Sequence, residues 1–68
     1  MEYTEDQRAK IRTLAYELNK KGVDKDTEIN ISVRLRKPGK AAQMIEWLQK
    51  NEATVNEICA KSREIART

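Results

Sequence analysis

Glu28-Ile29-Asn30-Ile31-Ser32-Val33-Arg34-Leu35-Arg36-Lys37-Pro38 is the stretch on which the reading of this chain turns. Ile29, Ile31, Val33 and Leu35 alternate with Asn30, Ser32, Arg34 and Arg36. Alternation at period two is the pattern of a half-buried strand, because successive side chains of an extended chain point to opposite faces. Ile29, Ile31 and Val33 are also β-branched, which suits a pleated surface. Pro38 lacks an amide donor and ends the segment. The stretch is therefore expected to be a strand.

No second stretch of this kind occurs in the chain. A lone strand leaves unpaired backbone groups along both edges, which native proteins rarely tolerate. The simplest partner is the same strand of a second copy, related by a two-fold axis. The expectation is a two-stranded antiparallel ribbon in a homodimer. Ile29, Ile31, Val33 and Leu35 would face the helices, and Asn30, Ser32, Arg34 and Arg36 would face outward.

Length and composition agree with a partner subunit. Sixty-eight residues supply a marginal core, and small scaffolds usually add a disulfide, a metal or another subunit. Cys59 is the only cysteine and the chain has no histidine, so an intrachain disulfide is excluded and a zinc site is not expected. No cofactor is expected either. A net charge of +3, with 37% charged residues, is modestly basic and compatible with nucleic acid. No apolar run approaches a membrane span, and Met1-Glu2-Tyr3-Thr4 does not resemble a signal peptide. A cytoplasmic protein is expected, and an unpaired Cys59 suits a reducing compartment.

Outward from the central stretch, the flanks read as helices. Thr4 and Gln7 form a possible capping box, Glu5 and Asp6 favour the first turn, and Gly22 is a natural left-handed stop. Ile11, Leu14, Ala15 and Leu18 form an apolar stripe, so a helix is predicted from about Glu5 to Lys21, with Tyr16 partly buried at its flank and Glu17 paired with Lys21. Val23 to Thr27 reads as a polar connector. A second helix is predicted from near Lys40 to near Asn51, with Ala41, Met44, Ile45 and Leu48 inward and Trp47 at the edge. Thr54 with Glu57 caps a third, whose stripe is Val55, Ile58, Cys59, Ser62, Ile65 and Ala66.

The order strand, helix, turn, helix resembles the ribbon-helix-helix family of prokaryotic DNA-binding proteins, which includes Arc, MetJ and the CopG-like repressors. Ile31-Ser32-Val33-Arg34-Leu35, Pro38, and Thr54-Val55-Asn56-Glu57-Ile58 carry the resemblance. It implies an intertwined dimer whose ribbon enters the major groove. It also implies bases contacted by Asn30, Ser32 and Arg34, and a phosphate held at Thr54, Val55 and Asn56. The expected fold class is thus α+β, mostly helical. An N-terminal helix and connector would occupy residues 1–27 and a ribbon-helix-helix domain residues 28–68. In this chain a whole helix precedes the strand, and Glu52-Ala53 stands where the family usually has a glycine.

The residues themselves support the same chemistry. A two-stranded ribbon fits the major groove, Arg pairs with guanine, Asn with adenine, and Ser with either kind of edge. Asn30, Ser32 and Arg34 are a candidate base-reading set on an acid-free face; otherwise they are the solvated side of an amphipathic strand. Arg36, Lys37, Lys40 and Lys61 are candidate phosphate contacts, or else edge guards and solvated helix residues. A helix amino terminus such as that at Thr54 is an anion site. With no histidine, glycine-rich phosphate loop or metal-ligand cluster, enzymatic activity is not expected. The primary expectation is a homodimeric, sequence-specific DNA-binding protein, such as a transcriptional repressor or a plasmid or phage accessory factor. The alternative is a protein-binding module, such as a phage inhibitor or antitoxin-like partner, that works through its N-terminal helix without DNA. A third reading makes Thr54 to Arg67 a recognition helix with Asn56, Lys61 and Arg63 facing bases.

Overall fold

In the computed structural model, which describes residues 3–67, the chain folds as four helices. Helix α1 spans Glu5–Lys20. It starts where expected: the Thr4 hydroxyl accepts from the Gln7 amide at 3.1 Å, and the Gln7 side chain accepts from the Thr4 amide at 2.8 Å. It stops at Gly22, whose φ of +83° an L side chain would resist. Helix α2 spans Lys25–Arg34, α3 spans Pro38–Lys50 and α4 spans Val55–Arg67. Among the described residues there is no strand, so the α+β assignment, the antiparallel ribbon and the ribbon-helix-helix resemblance are all overturned.

The central stretch is helical, and its alternation has a different cause. Two residues advance about 200° around a helix and four advance about 40°. Period-two spacing therefore splits four apolar residues into two opposed pairs. Ile31 and Leu35 are 1% and 0% exposed; Ile29 and Val33 are 49% and 55% exposed. The Asp24 carboxylate accepts from the Thr27 amide at 3.3 Å and its hydroxyl at 2.7 Å, capping α2 inside the stretch read as a polar connector. Val23, in the same stretch, is buried. Asp26 and Glu28 lie in the first turn and Arg34 in the last, as the helix dipole favours. Lys37 precedes proline and is extended, at φ −72° and ψ 134°, and Pro38 opens α3 at a position where its missing amide costs nothing.

The helices close a ring: α1 packs on α2 and α3, and α4 packs on α3 and α2. Leu14, Leu18, Ile31, Leu35, Ala41, Met44, Leu48, Ile58 and Ile65 meet in one core drawn from all four, with Trp47, Val55 and Cys59 packed at its edge. Two smaller expectations fail. Tyr16 is 62% exposed, with Lys20 Nζ 5.4 Å from its ring centre. Glu17 lies 3.9 Å from Lys20, while Lys21 donates to the Asn51 carbonyl.

The two faces of α2 separate the strand from the helix experimentally. Ile31→Ala and Leu35→Ala should each cost about 2–5 kcal/mol in urea unfolding. Ile29→Ala and Val33→Ala should stay within about 0.5 kcal/mol of the parent.

Candidate functional site

Helix α2 disperses the base-reading set. Asn30 and Arg34 lie one turn apart on one flank, both exposed, whereas Ser32 is half-buried in a groove against α1. Arg34 is tied down: its Nη1 donates to Ser62 Oγ at 3.1 Å, and that buried hydroxyl donates to the Cys59 carbonyl at 2.7 Å. No extended row of Asn30, Ser32 and Arg34 exists to enter a groove of DNA.

The phosphate candidates are spread over the α2–α3 joint, the first turn of α3, and the start and middle of α4. Arg36 and Lys37 are exposed at the α2–α3 joint, where the Arg36 carbonyl accepts from Gln7 Nε2 at 3.4 Å. Lys40, in the first turn of α3, donates to the Ala66 carbonyl at 2.7 Å. Thr54, Val55 and Asn56 sit at the other end of α4, roughly 18 Å away along its axis. There the Thr54 hydroxyl accepts from the Glu57 amide at 3.2 Å and the Glu57 carboxylate accepts from the Thr54 amide at 3.0 Å. Of the three residues expected to hold a phosphate, Thr54 thus already has its amide on a carboxylate. The Val55 side chain packs against the core. Lys61 lies 3.4 Å from Glu64 and 5.9 Å from the Trp47 ring centre, so its charge is engaged.

Arg67, absent from the sequence-derived sets, completes a cationic corner with residues that those sets kept apart. Arg34, Arg63, Ala66 and Arg67 line a shallow depression where α2 and α4 end. Arg63 and Arg67 stand one turn apart, and Lys40 reaches Ala66 from α3. Among the described residues, none of Arg34, Lys40, Arg63 and Arg67 forms an ion pair with a carboxylate. The four-residue spacing of Arg63 and Arg67 was visible in sequence; its meeting with Arg34 and Lys40 was not. The carbonyl end of α4 partly offsets the mutual repulsion of these cations.

A second feature lies between α1 and α2. Tyr3, Ile11 and Ala15 face Ile29, Ser32 and Val33 across an open apolar groove of about 250 Å³. Glu28 is buried at its edge: Oε1 accepts from Asn19 Nδ2 at 3.1 Å, and Lys25 Nζ stands 3.4 Å from Oε2 without a hydrogen bond. Among the described residues, no group of His, Cys, Asp and Glu could hold a metal, and no helix is long and apolar enough to cross a membrane. No family model, curated protein or solved structure matches this chain.

Three carboxyls are held below their ordinary values by local partners. The Thr27 hydroxyl and then its amide act on Asp24, the Lys50 ammonium on Glu46, and the Thr54 amide and then its hydroxyl on Glu57. A depressed folded value gives stability that is present above the ordinary carboxylate range and is lost as pH falls through the lowered values. Thermal midpoints should therefore be flat above about pH 5 and fall between roughly pH 5 and 3. Asp24→Asn keeps a cap but not the titration, and should make that fall shallower. Thr54→Ala should cost about 1 kcal/mol at neutral pH. It should leave affinity for a DNA duplex unchanged, because this helix end already holds its own carboxylate.

Proposed function

We propose that the protein is a cytoplasmic DNA-binding protein that grips the phosphate backbone of the duplex with the cationic corner of Arg34, Lys40, Arg63 and Arg67. One observation carries this reading: among the described residues the corner gathers four cations with no carboxylate paired to them. Arg34 and Lys40 are held by Ser62 and the Ala66 carbonyl, so part of the cost of ordering two long side chains is met before a ligand arrives. Arg63 and Arg67 remain free to swing onto phosphate oxygens, where a guanidinium forms paired hydrogen bonds. With Asn30, Ser32 and Arg34 dispersed, backbone contact replaces base reading as the source of affinity.

The α1–α2 groove favours a second reading, a protein-binding module to which the N-terminal helix contributes Ile11 and Ala15. Deleting that helix cannot test it, because Leu14 and Leu18 are core residues.

Counterion release separates the two. Binding to a random duplex pool should weaken steeply with salt, and the double variant Arg63→Ala, Arg67→Ala should reduce the log–log slope by nearly 2. Both residues are exposed, so helix content by circular dichroism should not change. Salt-independent binding, or a variant with the parent's affinity and slope, would overturn the DNA reading.

A further inference from the structure

We propose that the α1–α2 groove is covered by a second copy of this chain, with the two α2 helices packed antiparallel across a two-fold axis. The apolar centre of the contact is Ile29 and Val33, 49% and 55% exposed and one turn apart. Both are β-branched, so their side chains lose little rotamer freedom when covered.

Charge selects the occupant. Asp26 is exposed near the start of α2 on the side that carries Ile29 and Val33, and Arg36 is exposed just past its end. Among the described residues neither takes part in an ion pair. Lys25, the cation nearest Asp26 in sequence, lies against Glu28. Lys25 also lines this groove, but it is offset by the buried Glu28, so Asp26 is the charge left over at one end of the face, with an apolar middle and Arg36 at the other end. Such a face is complementary to itself when reversed, as a two-fold interface requires. The register follows from the spacing. An axis at the level of residue 31 sets Ile29 against Val33 of the second copy. The same axis sets Asp26 against Arg36 of the second copy, twice by symmetry. The opposed dipoles of the two helices favour the same arrangement.

This contact is independent of the cationic corner, which uses Arg34, Lys40, Arg63 and Arg67. Few side chains meet across it, so association is expected to be weak, with a dissociation constant of about 0.1–1 mM.

Sedimentation equilibrium of the full chain from about 1 µM to 1 mM reads the mass directly, spanning the range such a contact implies. A monomer–dimer equilibrium is expected. Val33→Asp should raise the dissociation constant more than tenfold while circular dichroism and urea unfolding show a folded chain, since Val33 is outside the core. Asp26→Arg and Arg36→Asp should each weaken the dimer several-fold, and the double exchange should return it close to the parent. A chain that stays monomeric throughout overturns the proposal. So does a dimer indifferent to Val33→Asp, or single exchanges that weaken it without mutual rescue.

Discussion

Everything in this fold depends on two side chains, Ile31 and Leu35, entering the space between α1 and α4. A chain of 68 residues has little apolar surface to spare, and a core this small does not tolerate a missing wall. α1 and α3 supply Leu14, Leu18, Met44 and Leu48, and α4 supplies Ile58 and Ile65. The remaining side is closed by α2, a helix of ten residues that would not hold its shape in water alone. Burial against the core stabilises it, and the Asp24 cap fixes where it begins. The Arg34–Ser62 bond then ties its far end to α4, satisfying a hydroxyl that would otherwise be buried with one hydrogen bond fewer.

What could be read in the sequence was local. The Thr4–Gln7 and Thr54–Glu57 boxes, the stop at Gly22 and the stripes of α1, α3 and α4 each depend on neighbours within four residues. The central stretch defeated the same method because its periodicity is ambiguous. Four apolar residues at period two make one face of a strand or two faces of a helix, and only burial distinguishes them. β-branching tipped the balance toward the strand, yet it is a weak preference that packing overrides. Two signals pointed the other way. Asp24 and Thr27 have the spacing of a cap, and Asp26, Glu28 and Arg34 follow the helix dipole. A strand with no partner in so short a chain is as much an argument for a helix as for a second copy.

The candidate site was less legible than the fold because it is a tertiary assembly. Arg34, Lys40, Arg63 and Arg67 come from three helices, and no window of sequence contains them all. Conversely, the helix end at Thr54, where the rule about helix termini expects an anion, carries an acid of its own. Glu57 turns back and its carboxylate takes the Thr54 amide, so the same capping box that made the helix predictable sets a negative charge at the helix end expected to receive a phosphate. The unpaired cations thus gather at the carbonyl end of α4 and not at its amide end.

Helix α2 shows how far so short an element can be divided. Glu28, Ile31 and Leu35 point inward, Arg34 joins the cationic corner, and Ile29 and Val33 face the open groove. The inward row alone satisfies the core, so the fold places no demand on positions 29 and 33. Polar residues there would leave the packing intact and raise solubility, because an exposed β-branched pair adds apolar surface that water disfavours. Folding of the monomer therefore does not explain why those positions hold Ile and Val. Their pairing with unengaged Asp26 and Arg36 at either end supplies the missing reason, since only a surface that will be covered gains from being apolar at its centre and oppositely charged at its ends.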